Sequence, residues 1–489
     1  MRINNRFLVF FLAFLLCPLF LQACGNDGTS AADSSSVGSD SEDLLLGRPY
    51  TLLIEPFDWG PGVTKVIIPL DADMPELPDP SQVTVSVEKQ SYAGKSKGNR
   101  TVTAVYFSDA KGNAVQADAV GGNVADGSNY FTVEMSVHPS DDLASPFFYS
   151  MATFMNTWAD PYSCEITVTS ADGGTLLYAN QEAERLCPAG EVFAEKGGFD
   201  YKDETFGDIH LNYAFYDPAG AADKESTAAD SGKNDDTAVV PPRPLIIWLH
   251  GAGEGGDDVQ IAYLGNKVTA LTQEKIQAYF TEEDAEGACV LAPQCPTMWM
   301  DSGSGQYTSE GTSKYLGALT ALIRMFADDP RVDAERIYIG GCSNGGYMTM
   351  NLLIHEPDLF AAAFPICEAY DNRWISDEEI AILAQKPIWF THAKTDTTVN
   401  PDNYTLATYH RLIEAGAENV HFSYFDKVVD TTGLYQNGSE PYEYFGHWSW
   451  IYTLNDACVS DYDGSPVMID RGNGEEQAGL FAWLGTFSK

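Results

Sequence analysis

Gly341-Cys342-Ser343-Asn344-Gly345 sets a serine between two glycines, after the apolar run RIYIG and before the helical run GYMTMNLLIHEP. Small residues on both sides permit a sharp strand-to-helix turn that lifts the hydroxyl out of a sheet and leaves it at the start of a helix. A serine hydroxyl is a weak nucleophile until a base removes its proton and a carboxylate orients that base. Asp396 fits the acid, because it follows the strand-like run PIWFTHA in the turn THAKTDTTV, with Asp402 as the alternative. The base is expected at His447, in the loop Tyr444-Phe445-Gly446-His447-Trp448, whereas His392 and His421 fall inside strand-like runs and His410 on a helical one. Serine, acid and histidine in that order suit acyl transfer through a covalent intermediate.

Such chemistry also needs donors for a developing oxyanion. The loop His250-Gly251-Ala252-Gly253, directly after the apolar run PLIIWL, supplies one amide at Ala252, and Asn344 after the serine supplies the other. His250, Glu254, Trp299 and Trp448 are the candidate pocket walls, with loop core as the equal alternative for the two tryptophans. The same loop also matches G-x-G-x-x-G through Gly251, Gly253 and Gly256, with Glu274 as a conceivable ribose contact. Glu274 falls in a helical run and not at a strand end, so dinucleotide binding is set aside and no cofactor is expected. No CxxC pair or His/Cys cluster has zinc-ligand spacing, and no metal is expected.

These residues require a scaffold, and the chain divides into four stretches. Arg2 and Arg6 precede an apolar run, Phe7 to Leu21, too short to span a bilayer comfortably, so residues 1–23 read as a leader. The run ends in Leu21-Gln22-Ala23-Cys24, which resembles a bacterial lipobox, and Cys24 is the expected lipid attachment. Residues 24–48 are Ser/Asp/Gly-rich and lack the apolar surface to fold. Residues 49–190 hold short β-rich runs (TLLIEPF, TKVIIPL, VTVSVEK, TVTAVYFSD, YFTVEMSV, CEITVTS and TLLYA) separated by turn residues, which predicts an immunoglobulin-like sandwich. Asp172-Gly173-Gly174 would close a hairpin between the last two.

From residue 191 to 489 strands alternate with helical segments, the pattern of a mostly parallel sheet covered by helices. IHLNYAFYD, PLIIWLH, CVLAPQ, RIYIGGCS, AAAFPIC and PIWFTHA read as strands, and TSKYLGALTALIRMFADD as an amphipathic helix. The polar insert from Ala219 to Asp236 reads as a mobile surface loop.

Seventy acidic residues against 28 basic ones leave a formal charge of −42, which repels phosphate backbones and excludes nucleic acid as a partner. Nine cysteines suit an exported protein. Setting aside Cys17 and Cys24, seven remain for pairing: Cys164, Cys187, Cys289, Cys295, Cys342, Cys367 and Cys458. Bridges from Cys164 to Cys187 and from Cys342 to Cys367 are the candidates, with buried free thiols as the alternative for the second. Oligomeric state is left open.

The run from Pro244 to His447, with HGAGEGG, LAPQCP, RIYIGGCSNGG and LFAAAFPIC, resembles secreted α/β-hydrolase esterases related to polyhydroxybutyrate depolymerases and feruloyl esterases. Prolyl oligopeptidase catalytic domains are more distant relatives on this reading. Asp58-Trp59-Gly60-Pro61-Gly62-Val63-Thr64-Lys65-Val66 resembles the immunoglobulin-like domain that precedes the hydrolase in certain bacterial esterases. Cys342 and Lys394-Thr395 depart from the small residue and the glycine turn common in relatives. The resemblance implies an α/β-hydrolase fold and a serine carboxylic ester hydrolase acting on small or carbohydrate-linked esters at the outer face of a bacterial membrane. A prolyl oligopeptidase-like peptidase and a catalytically silent surface binding protein are the alternatives.

Overall fold

Alternation of apolar and polar residues builds the first layer of strands, as expected for sheets buried on one face. The computed structural model describes residues 50–69, 77–91, 94–115, 130–150, 152–169, 175–179, 184–186, 198–220, 241–282, 285–305, 307–308, 310–470 and 476–489. The leader, Cys24, the linker, Cys187, the boundary at 190–191 and nearly all of the polar insert therefore lie outside the described residues.

Eleven described strands form the N-terminal part: β1 (Thr51–Phe57), β2 (Gly60–Pro69), β3 (Val83–Ser91), β4 (Gly94–Arg100), β5 (Val102–Ser108), β6 (Tyr130–Met135), β7 (Phe147–Ser150), β8 (Met155–Trp158), β9 (Tyr162–Thr169), β10 (Thr175–Ala179) and β11 (Glu184–Leu186). One sheet runs β11-β1-β2-β6-β5, a second β10-β9-β3-β4, and β7 pairs with β8 in a separate hairpin. Ile54, Val66, Val85, Val87, Phe131, Val133 and Ile166 make their common core. All seven expected runs are strands. β9 and β10 pair antiparallel from Thr169 opposite Thr175, as the expected hairpin requires. Sequence reading misses β4, GKSKGNR, because it has no apolar residue; it pairs at the sheet edge with β3, where lysines discourage further strand addition. The β7–β8 hairpin is also missed.

The C-terminal part is an eight-stranded sheet in the order β12-β13-β15-β14-β16-β17-β18-β19, with β12 (Asp200–Phe206), β13 (Ile209–Tyr216), β14 (Arg243–Leu249), β15 (Cys289–Gln294), β16 (Val332–Cys342), β17 (Ala362–Ile366), β18 (Ile388–Ala393) and β19 (Val420–Phe425). The pairs from β15 through β19 are parallel, while β12–β13 and β13–β15 are antiparallel. Strand pleating sends Leu245, Ile247 and Leu249 of β14 into one core and Ile246 and Trp248 into the other, one on each face of the sheet. Burial on both faces explains why these strands read as continuous apolar runs. The helix Leu316–Ala327 packs on the first face, as its amphipathic pattern predicts. Edge strand β12, mostly exposed and charged, carries no such signal.

The two parts dock within one compact unit. Asp58, in the β1–β2 turn, is buried and accepts hydrogen bonds from Lys267 Nζ at 2.7 Å and Asn455 Nδ2 at 2.7 Å, both from the hydrolase part. Asp58→Ala should destabilise the chain by about 1–3 kcal/mol by leaving the Lys267 ammonium with only Asn455 Oδ1 as acceptor and no counter-charge, and urea unfolding would measure it. A shift of a few tenths would show the contact to be incidental.

Candidate active site

Loops at the C-terminal ends of β14, β16 and β18, where ligands bind on open parallel sheets, build the site together with the segment between β19 and the helix Trp450–Leu454 that carries His447. After β16, Ser343 takes φ 55° and ψ −112°, a backbone conformation that non-glycine residues rarely adopt. The helix Asn344–His355 starts at once behind it. The flanking glycines are required by close approach: a Cβ on Gly341 would lie 2.4 Å from the Leu249 carbonyl oxygen, and one on Gly345 1.9 Å from it. The Ser343 amide donates to Ile366 O at 2.9 Å, which pins the turn to β17.

Asp396, in the turn after β18, is buried, with Oδ1 accepting from the amides of Thr398 at 2.8 Å and Val399 at 2.9 Å. Its Oδ2 faces His447 Nδ1 at 2.7 Å. Burial alone would push this carboxyl up, but hydrogen bonds from His392 and His447 outweigh it and hold Asp396 well below the usual carboxylate range. The acid is therefore ionised at neutral pH. With Nδ1 on Asp396, the Nε2 side of His447 is left for the cavity that both His447 and Ser343 line. Asp402 is exposed in the Pro401–Asn403 turn, and His447 sits on Asp396 instead.

His392, passed over in the sequence as a strand residue, also touches the acid. Its Nε2 lies 2.9 Å from Asp396 Oδ2 and 3.0 Å from Val399 O, both acceptors, so Nε2 carries the proton. Nδ1 then accepts from Thr405 Oγ1 at 2.8 Å. Burial pushes this imidazole down, which keeps it neutral. A histidine four residues before a carboxylate at a strand end was the available signal.

Ala252 begins a 3-10 turn (Ala252–Glu254) after β14 and lines the cavity, and Asn344 begins the helix behind Ser343. First-turn amides have no partner within their helix and so point outward as donors. The Asn344 side chain is occupied elsewhere, its Oδ1 accepting from the Trp299 amide at 2.5 Å. Glu254 and Trp448 line the cavity as expected, but His250 and Trp299 do not. These two are fully buried with ring centroids 5.0 Å apart, and His250 Nε2 accepts from the Cys295 amide at 3.1 Å. They support the loop from beneath because the strand-end position that looked open is covered by residues 295–299. The cavity holds about 430 Å³ and is walled by Trp59, Tyr149, Tyr307, Phe445, Trp448 and Trp450. Trp59, Tyr149 and Asn156 come from the N-terminal part and carried no local sequence signal.

Of the two readings for Cys342 and Cys367, the structure shows the free thiols: both are buried and unbridged, as is Cys164. Cys367 Sγ lies with an Asp396 oxygen and a His447 nitrogen, all within 4.8 Å of one another. Burial pushes the Cys367 thiol well up, which suits a small apolar side chain packed beneath the site. Burial also raises the Glu254 carboxyl to about 7, against the pull of its Asn156 hydrogen bond.

The esterase Ig-like N-terminal domain model matches residues 49–177, and the prolyl oligopeptidase family model matches residues 297–422, a span that includes Ser343 and Asp396. The crystal structure of a thermostable esterase is 22% identical, with 90% of this chain and 99% of that one covered at a TM-score of 0.61. An acylaminoacyl peptidase of Pyrococcus horikoshii is 16% identical over 59% of this chain and 45% of its own, at a TM-score of 0.34. An esterase of Thermogutta terrifontis, phosphorylated by paraoxon, is 14% identical over 47% and 83%, at 0.31. No curated protein matches. The fold is that of an α/β-hydrolase preceded by an esterase-type Ig-like domain. Within that fold, the segment 297–422 that carries Ser343 and Asp396 is similar to the prolyl oligopeptidase family. It is the prolyl oligopeptidase family, ranked more distant from sequence, whose model matches.

His392→Phe should lower kcat by roughly tenfold or more with little change in KM, because Asp396 loses a donor that orients it, and His392→Gln should recover part of the loss. Equal kinetics for wild type and His392→Phe would sink this assignment. For Glu254, the folded value of about 7 exceeds the ordinary 4.5, so the unfolded chain releases its proton first and wild-type stability falls as pH rises between these values. Relative to Glu254→Gln, wild type should lose up to about 3 kcal/mol between about pH 5 and pH 7 in chemical denaturation, and parallel curves would refute it.

Proposed function

We propose that this protein is a serine carboxylic ester hydrolase working through an acyl-enzyme. The observation that carries the reading is the strained turn at Ser343, which lines one cavity with a histidine whose far nitrogen is fixed on a buried, ionised Asp396. In this mechanism His447 Nε2 takes the Ser343 proton as Oγ attacks the ester carbonyl. Asp396 holds the resulting imidazolium, and the Ala252 and Asn344 amides receive the oxyanion. His447 then protonates the departing alkoxide, and a water activated by the same imidazole releases the acid.

Ester substrates are favoured because the N-terminal match is to an esterase domain and a fold neighbour covering 90% of the chain is an esterase. Six aromatic rings around the cavity suit the stacking of a flat acyl group or a sugar face, in keeping with small or carbohydrate-linked esters. The prolyl oligopeptidase match keeps a peptidase as the second reading. Among the described residues no helix is long and apolar enough to cross a membrane. The leader and Cys24 support a lipid anchor on the outer face of the bacterial membrane as the place of action.

A series of short p-nitrophenyl esters, with dipeptide p-nitroanilides in parallel, tests the proposal. Wild type should hydrolyse the esters preferentially, and Ser343→Ala should lose about four or more orders of magnitude in kcat. Faster turnover of the anilides would instead favour the peptidase, and an inert folded wild type the silent binding protein.

A further inference from the structure

The segment that presents the Ala252 amide is glycine-rich, with Gly251, Gly253, Gly255 and Gly256 around Ala252 and Glu254. Such a backbone has little conformational preference of its own, so the direction of the Ala252 N–H must be set by what packs on the loop. Inside the loop the only backbone contact spanning the turn is a long one, Glu254 N to Gly251 O at 3.3 Å. From below, Gln294 Nε2 donates to Glu254 O at 2.9 Å and to Asp258 O at 2.8 Å.

From above, the loop is held by the other domain. Asn156 Nδ2 on β8 donates to Glu254 Oε1 at 2.8 Å, and Trp158 Nε1, two residues further along the same strand, donates to Asp258 Oδ2 at 2.7 Å. Period-two spacing puts both side chains on one face of the strand, so the hairpin grips the two ends of the segment 254–258 together. Asp258 passes this on, because its Oδ1 caps the helix Val259–Leu264 by accepting from Gln260 N at 3.0 Å. Glu254 is itself wedged tightly: a Cβ on Gly251 would lie 2.9 Å from its Oε2, and one on Gly265 2.7 Å from its Cγ. A Cβ on Gly253 would lie 3.1 Å from Asn156 Nδ2. The hairpin is anchored in turn, since Phe147 packs into the hydrolase core and stacks edge-on with Trp158 at 4.5 Å.

We propose that the β7–β8 hairpin of the Ig-like domain is a positioning element for the oxyanion loop, acting through the Asn156–Glu254 and Trp158–Asp258 hydrogen bonds. It thereby sets the rate of the chemical step, beyond walling the pocket with Tyr149. This rests on the reading of Ser343 as nucleophile and of the Ala252 amide as an oxyanion donor.

The test is the rate at which an alkyl p-nitrophenyl phosphonate modifies Ser343 and releases p-nitrophenol, a reaction that needs nucleophile, base and oxyanion donors but no knowledge of the natural substrate. Asn156→Ala and Trp158→Phe, the second keeping an aromatic ring against Phe147 while losing the indole donor, should each slow the maximal rate about tenfold. The half-saturating concentration should stay within about twofold. Trp158→Phe decides the matter if Asn156→Ala does not fold. Unchanged maximal rates in a folded Trp158→Phe protein, or a change confined to half-saturation, would overturn the proposal and leave the hairpin as a wall. A wild type that the phosphonate does not modify would overturn the Ser343 reading itself, and this proposal with it.

Discussion

A carboxylate removed from water must find its donors inside the protein, and Asp396 finds four. Two are backbone amides of its own turn, at Thr398 and Val399, and two are imidazoles, His392 and His447. Much of the site follows from this arrangement. Because His392 also faces the Val399 carbonyl, its tautomer is determined, and its single Nε2 proton is shared between that carbonyl and Asp396. Because His447 meets Asp396 through Nδ1, the orientation of its ring follows, with the opposite nitrogen left for the cavity it shares with Ser343. An unpaired carboxylate in the same position would take up a proton and lose its hold on the base.

The scaffold supplies three strand ends at fixed spacing. β14 and β16 are hydrogen-bonded neighbours, so the oxyanion loop and the serine turn emerge side by side, with Leu249 opposite Gly341. That proximity leaves no room for side chains at Gly341 and Gly345, and the positive φ of Ser343 is held by contacts on both sides. Backbone strain of this kind persists only where the surroundings over-determine it. Here a two-faced core and a following helix with eleven buried residues do so.

Much of this was legible in the sequence, because the relevant signals are local. The G-x-S-x-G turn, the apolar runs of central strands and the alternating strands of the Ig-like domain depend on residues near one another in the chain. β4 and β12 were missed because their pairing partners, not their own side chains, make them strands. His250 was placed on the pocket wall because its cover, with the Cys295 amide on its Nε2, is a property of packing, and packing likewise decided between wall and core for Trp299. The free thiols of Cys342 and Cys367 follow from geometry that spacing does not report.

By itself the sequence determined the chain order of Ser343, Asp396 and His447, the two-part architecture, and a formal charge of −42. Each of these follows from residue type and short-range periodicity. Tertiary structure alone decided that His392 shares the acid with His447, that Asn156 reaches Glu254 across 98 positions of chain, and that six aromatic rings from both domains enclose one cavity. Contacts between distant segments depend on how two cores dock. Docking depends on buried partners such as Asp58 with Lys267, whose meeting no local pattern encodes.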